Sequence, residues 1–168
     1  TRSSLDILRA RDGGTEHTLL AAISRTVSAA GGRLLAEWLA APLTHAQSIA
    51  RRQDAWCWLK EEPSARDTLR EALKKAPDIA RALGRLSVGR GQPRDLAAIR
   101  EGLNAARAAG VALAGGRTPL APALQDATAC LGGAEPLRQT LATALAPAMP
   151  ARLEAGGGIA AGYDAELD

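Results

Sequence analysis

Aromatic residues are scarce in this 168-residue chain: they make up 2% of it, with no Phe, one Tyr and three Trp. The interior must therefore be built from Leu, Ala, Ile and Val. Small and straight side chains suit closely packed helices, whereas sheets favour aromatic and β-branched residues. The composition therefore predicts an all-α fold.

Cysteine and histidine are nearly absent, with two residues of each. Cys57 and Cys130 are far apart, and His17 and His45 complete no zinc-ligand spacing. Two buried free thiols in a reducing compartment are the preferred interpretation, with one disulfide as the alternative. We expect no metal site and no cofactor site in this chain.

Long apolar runs are also missing. No stretch approaches the roughly 20 residues that cross a bilayer, and the first residues lack the apolar core of a signal peptide. The chain does not begin with Met, which indicates a fragment of a longer protein. The net charge of +3 is weak support for a nucleic-acid partner. We expect a soluble, cytoplasmic chain.

Catalytic motifs are absent too. The glycine-rich stretches at 88–95 and 155–164 lack the Gly-Lys-Ser/Thr ending that places a lysine on phosphates. No serine and histidine are spaced as a recognisable nucleophile and base. We predict no catalytic residues and no enzymatic activity for this chain.

What is present is helical periodicity. Apolar residues recur every three or four positions from about 18 to 146, which predicts a bundle of short antiparallel helices. Pro42 and Pro63 end helices, and Pro93 begins one in a favoured position. The segment 147–168 contains two prolines and three adjacent glycines, which predicts an irregular tail.

The stretch GGRLLAEWLAAPLTHAQ, residues 31–47, predicts a tight helical hairpin. Gly31 and Gly32 are expected to turn the chain into the first helix. Thr44 and Gln47 have the spacing of a capping box that would start the second. Trp38 is expected to be largely buried against the helix over 44–60.

Charged residues offer two further interpretations. Glu61 and Glu62 adjoin a helix end and are interpreted as solvated charges. A basic stretch could contact DNA phosphates; the favoured alternative is that its arginines pair with acids on neighbouring helices or keep a helix face soluble. The five arginines are Arg81, Arg85, Arg90, Arg94 and Arg100.

Three stretches together resemble the MutS family of DNA mismatch repair proteins, in the central core or lever domain. They are TVSAAGGRLLAEWLAAPL at 26–43, DIARALGRLSVGRGQPRDL at 78–96 and GGGIAAGYDAELD at 156–168. An Arg-x-Asp pattern at 52–54 and TRSSLDI at the start add to the resemblance. The positions that match the family pattern include Gly32, Arg33, Trp38, Leu39, Pro42, Arg52, Asp78, Pro93, Asp95, Gly162 and Tyr163.

The resemblance implies a non-catalytic helical connector that transmits conformational state between DNA-binding parts and an ATPase domain. ATP and Mg would bind in that separate domain, so the parent would be a DNA-dependent ATPase. Partners would be mismatched double-stranded DNA, other domains of the protein and a second copy in a homodimer, with no membrane. The location would be the bacterial cytoplasm, at the nucleoid. The alternative function is an autonomous nucleic-acid-binding module that uses the 81–100 stretch.

The resemblance also implies that the lever is built from two stretches of chain, with the clamp domain inserted after residue 168. Apolar faces that the second stretch would cover are expected to be exposed, and the tail from Pro147 is expected to be poorly anchored. The expected exposed residues are Leu96, Ile99, Leu103, Leu137, Leu141 and Leu145.

Overall fold

The computed structural model describes residues 5–166, and α-helices dominate it. Within that range, β structure amounts to an isolated antiparallel bridge between Leu145 and Ile159. The predicted all-α class is confirmed. No helix in the described part is long and apolar enough to cross a membrane. The helices are α1 (Leu19–Ile23), α2 (Ala29–Ala40), α3 (Ala46–Glu61), α4 (Pro63–Lys75), α5 (Ile79–Ser87), α6 (Pro93–Ala114), α7 (Pro122–Leu131) and α8 (Glu135–Ala144).

Helix α6 is the centre of the bundle. Its 22 residues span about 33 Å, and α4, α5, α7 and α8 all pack against it. Its buried face carries Gly102, Ala105, Ala109 and Ala112, which recur at helical spacing. Small side chains there let the neighbouring helices come close. At Gly102 a Cβ atom would lie 2.3 Å from Cδ1 of Ile79 on α5.

The largest buried side chain of the core is that of Trp58 on α3, which is 5% exposed. It packs with Ala65, Leu113 and Ala121, from α4, α6 and the start of α7. Its indole Nε1 donates a hydrogen bond to the carbonyl of Thr118 at 3.4 Å. One tryptophan therefore holds four helices together.

Trp38 on α2 is not largely buried, so that prediction is wrong. Its side chain is 40% exposed, and the guanidinium of Arg52 lies 3.7 Å from the ring centroid. The reason is the position of α2, which lies at the periphery and has no buried residue. Periodicity places Trp38 on the apolar side of α2 but does not say how deeply that side is covered.

The helix start predicted from a proline is confirmed, whereas those predicted from glycine and threonine are wrong. Pro93 occupies the first position of α6 as predicted. Pro63, which was predicted to end a helix, follows the end of α3 but is itself the first residue of α4. Gly31 and Gly32 lie inside α2, because Ser28 caps that helix through a bond from the Gly31 amide at 3.2 Å. The capping box expected from Thr44 is wrong as well, since α3 begins after His45 without a side-chain cap.

Both cysteines are free and exposed, so the expected buried thiols are wrong. Cys57 immediately precedes Trp58, and consecutive residues on a helix face different directions. Burying the tryptophan therefore turns its neighbour toward solvent.

The tail after α8 is anchored near Ile159. The Ala146 amide donates to the Gly158 carbonyl at 3.0 Å, and the Ala160 amide donates to the Ala144 carbonyl at 2.9 Å. Leu145 between them is buried. The expectation of a poorly anchored tail is therefore wrong at this point.

The apolar residues expected to be exposed divide into three groups. Ile99 and Leu145 are buried, which contradicts the expectation, because Ile99 lies on the inner face of α6 and Leu145 under the tail. Leu96, Leu103 and Leu141 are half-buried, and Leu137 is 50% exposed.

Candidate functional site: ion pairs that join the helices

A bidentate ion pair links α2 to the start of α5. The guanidinium of Arg33 donates to both carboxylate oxygens of Asp78, at 2.7 and 3.0 Å. The same carboxylate caps α5 by accepting from the Arg81 amide at 3.2 Å, and it pairs with the Arg81 side chain at 3.3 Å. The bond from Arg33, which outweighs the effect of burial, lowers the pKa of Asp78. Asp78 therefore stays ionised and serves two helices at neutral pH.

A second ion pair closes the loop between α5 and α6. Asp95 is 1% exposed, and its Oδ1 accepts from Arg85, with Nε at 3.0 Å. Its Oδ2 accepts from the Gln92 amide at 2.9 Å, which forms part of the capping box of α6. The bond from Arg85, followed by that from the Gln92 amide, lowers the pKa of Asp95 to about 2.

Glu62 forms the junction between α3 and α4 and contradicts its interpretation as a solvated charge. It is 4% exposed. Its Oε1 accepts from the amides of Arg117 and Thr118 at 3.2 and 3.1 Å and from the Thr118 hydroxyl at 3.0 Å. Burial alone would raise the pKa of Glu62, but these bonds and the Arg117 charge outweigh burial and lower it. Glu62 therefore fixes the loop between α6 and α7.

The basic stretch does not present one uniform charged face. Arg81 and Arg85 are engaged by Asp78 and Asp95 as described. Arg100 is largely buried, pairs with Glu101 at 3.0 Å and donates to the Ala146 carbonyl at 3.0 Å. Arg90 and Arg94 are exposed, and no ion pair within residues 5–166 includes either.

The remaining motif residues lie at turns and helix surfaces. Leu39 is half-buried on α2, and Pro42 is exposed just after it. Gly162 has φ +78°, a conformation that L side chains rarely adopt, and Tyr163 follows it with its amide bonded to the Ala160 carbonyl at 3.1 Å. Pro42 follows the end of α2, and Gly162 permits a turn in the tail. Helix α2 does not pack closely on α3, so the tight helical hairpin predicted for residues 31–47 is wrong.

The three carboxylates of this framework serve as hydrogen-bond acceptors that hold neighbouring segments together. Asp78, Asp95 and Glu62 all have lowered pKa values and accept several hydrogen bonds each, so at neutral pH they are poor candidates for proton transfer. Among the residues that the structure describes, no three His, Cys, Asp or Glu side chains are grouped to hold a metal ion. The bonds of Asp78 and Glu62 instead join segments that are distant in sequence, and those of Asp95 join the consecutive helices α5 and α6.

Comparison with known proteins agrees with the motifs. The family model described as MutS domain III matches residues 1–167. The chain belongs to the MutS domain III family. It is 54% identical over its whole length to the DNA mismatch repair protein MutS of Granulibacter bethesdensis, and 47% identical to that of Erythrobacter litoralis. The MutS protein of Azorhizobium caulinodans is 45% identical over the same extent.

This MutS domain III chain covers less than a fifth of the length of these relatives. It spans 18% of the Granulibacter protein, 19% of the Erythrobacter protein and 18% of the Azorhizobium protein. The match to the family model and the identity to these relatives confirm the family resemblance that the sequence motifs indicate.

Two central residues were missed by sequence reasoning. No sequence pattern predicts the burial of Trp58, and Glu62 is interpreted from its sequence position as a solvated charge. The local signal for Glu62 was its place directly before Pro63, which begins α4, although its side chain makes no cap bond to that helix. Nothing local identifies the loop at 115–118 as its partner.

Proposed function

We propose that this chain is the lever of a MutS-type mismatch repair protein, a non-catalytic connector that carries conformational state between DNA-binding parts and an ATPase domain. The observation that supports this most is α6, one continuous helix of about 33 Å against which four other helices pack. A displacement at one end of such a rod moves the other end, because packed helices do not deform continuously.

The ion-pair framework supports the same proposal. Glu62 ties the α3–α4 junction to the loop that follows α6. Asp95 and Arg85 tie α5 to the first turn of α6. Buried hydrogen-bonded carboxylates of this kind hold one geometry, since breaking them leaves an uncompensated charge.

The rest of the assembly belongs to this proposal. Mismatched double-stranded DNA, a homodimer, and ATP with Mg in a separate domain would be properties of the whole protein. Its location would be the bacterial cytoplasm, at the nucleoid. This chain itself would hydrolyse no ATP, and turnover by the pure chain above that of a mock preparation would contradict this.

The alternative, an autonomous nucleic-acid-binding module, has less support. Three of its five proposed arginines are engaged within the fold. Arg81, Arg85, Arg90 and Arg94 are all exposed, but Arg81 and Arg85 are held in ion pairs, whereas no ion pair within residues 5–166 includes Arg90 or Arg94. Two separate cations supply little of the phosphate neutralisation on which non-specific binding depends.

The test of the lever is coupling in the full-length protein that carries this region. Mismatched DNA is expected to change ATP turnover in the wild type. Glu62→Ala is expected to weaken that dependence while leaving basal turnover and DNA affinity close to wild type, because it loosens the connector and touches neither site.

Glu61→Ala is the matched control, since Glu61 is the exposed neighbour of Glu62. It should leave the coupling unchanged. Wild-type coupling in a folded Glu62→Ala protein would contradict the role of this region as a lever. Loss of DNA binding by Glu62→Ala would instead place the region in the DNA interface.

A further inference from the structure

Residues 5–40, named here the N-terminal arm, lie outside the main bundle of helices. Helix α2 packs mainly on the short α1 and has no buried residue. The start of the arm is joined to α1 by two backbone hydrogen bonds, from the amides of Leu19 and Leu20 to the carbonyls of Asp6 and Ile7 at 3.0 Å each. The arm is thus internally connected and peripheral to the bundle.

Three arginine contacts join this arm to the bundle. Arg33 pairs with Asp78 at the start of α5. The guanidinium of Arg52 on α3 lies over the Trp38 ring of the arm. Arg70 on α4 donates to the Arg25 carbonyl at 3.1 Å. Each of the helices α3, α4 and α5 therefore provides one attachment point.

These contacts differ in kind from those of the bundle. The side chain of Arg33 is 40% exposed and that of Asp78 17% exposed, so water and salt reach the pair. The Trp38 ring is partly exposed too. The bundle is held instead by buried apolar surface around Trp58 and along α6. The arm therefore depends on charged contacts that salt weakens, whereas the buried apolar surface of the bundle does not.

We infer that the N-terminal arm is a latched element: it docks on the bundle through the three guanidinium contacts and detaches as a unit when they are weakened. The segment 41–45, which joins α2 to α3 outside the helices, is its hinge. The inference does not depend on the lever proposal, because it concerns this chain alone.

The experiment measures the distance between the arm and the bundle by pulsed electron paramagnetic resonance. Spin labels are placed at Ala30→Cys on α2 and Ala108→Cys on α6, both exposed positions. The native Cys57 and Cys130 are replaced by Ser, so that only these two sites react.

Two variants remove the Arg33–Asp78 pair from opposite sides. Asp78→Asn keeps the cap of α5, since Asn is as good an N-cap as Asp, and Arg33→Gln leaves Asp78 in place. Each is expected to move about tenfold more molecules from the docked to the detached distance, as the loss of a charged hydrogen bond would. Raising salt should shift the wild type in the same direction.

Asp126→Asn is the matched control, because the Arg51–Asp126 pair joins α3 to α7 inside the bundle. It should keep the wild-type distance distribution. A single unchanged distribution in both Arg33→Gln and Asp78→Asn, at low and high salt, would overturn the latch. So would a parallel loss of helicity by circular dichroism, since the arm would then unfold with the bundle rather than detach from it.

Discussion

The ring of Trp58 occupies the space that a side chain at Gly116 would need. A Cβ atom on Gly116 would lie 2.3 Å from Cζ2 and 2.8 Å from Cη2 of the indole. The indole is itself held by its bond to the Thr118 carbonyl and by the surrounding core. The loop after α6 therefore passes close to the core only because residue 116 has no side chain.

Gly116→Ala is accordingly expected to destabilise the chain by about 1–3 kcal/mol, the usual cost of overpacking. Denaturant unfolding measures the change. Gly115→Ala is the control, since its Cβ would make ordinary contacts of 3.5 Å or more. Equal midpoints for the two variants would show that Trp58 moves aside freely.

The two tryptophans at 38 and 58 should differ in their contribution to stability. Trp58→Ala is expected to cost about 3–5 kcal/mol, as for a large core side chain. Trp38→Ala should cost about 1–2 kcal/mol, because the ring is partly exposed and loses mainly its contact with Arg52. Chemical denaturation of both variants tests the order, and a larger cost at Trp38 would contradict the peripheral position of α2.

Stability should fall in acid partly because of Asp95. The pKa of Asp95 in the folded chain is about 2, below the value of about 4 in an unfolded chain. The unfolded state therefore binds the proton first, so this contribution is complete above about pH 4 and is lost as the pH falls toward 2.

Denaturation midpoints between about pH 6 and pH 2 measure that loss. Asp95→Asn and Arg85→Gln should both flatten the lower part of the curve, since each removes one member of the pair. A curve of unchanged shape in both variants would show that other carboxylates account for the acid sensitivity.

The isolated chain should bind duplex DNA weakly. Its affinity is expected to stay in the non-specific range, with Kd above about 10⁻⁶ M at physiological salt. A fluorescence titration with matched and mismatched duplexes measures it, and Arg90→Ala with Arg94→Ala should reduce the salt slope by about one per lost contact. Tight binding with a steep salt slope would favour the autonomous module instead.

Local chemistry explains which parts of the fold could be predicted. Proline removes an amide donor and restricts the preceding residue, so Pro42 and Pro63 could be predicted to end helices and Pro93 to begin one. The paucity of aromatic residues and the apolar periodicity indicated helices because composition and residue spacing are also local properties of the chain. The motif at 26–43 and that at 78–96 pointed to the family.

The tertiary structure decided which of several chemically similar residues is buried. Trp38, Trp56 and Trp58 are chemically alike, yet only Trp58 faces the meeting point of α3, α4, α6 and α7. Glu61 and Glu62 are adjacent and identical, yet only Glu62 reaches the loop at 115–118.

By itself, therefore, the sequence determined the helical class, the helix start at Pro93 and the family, because these depend on composition and on neighbouring residues. Only the tertiary structure decided that Trp58 and Glu62 are central, that α2 is peripheral and that three of five arginines in the basic stretch are engaged. Those outcomes depend on partners as distant as Glu62 and Thr118, 56 positions apart, and no local pattern contains that information.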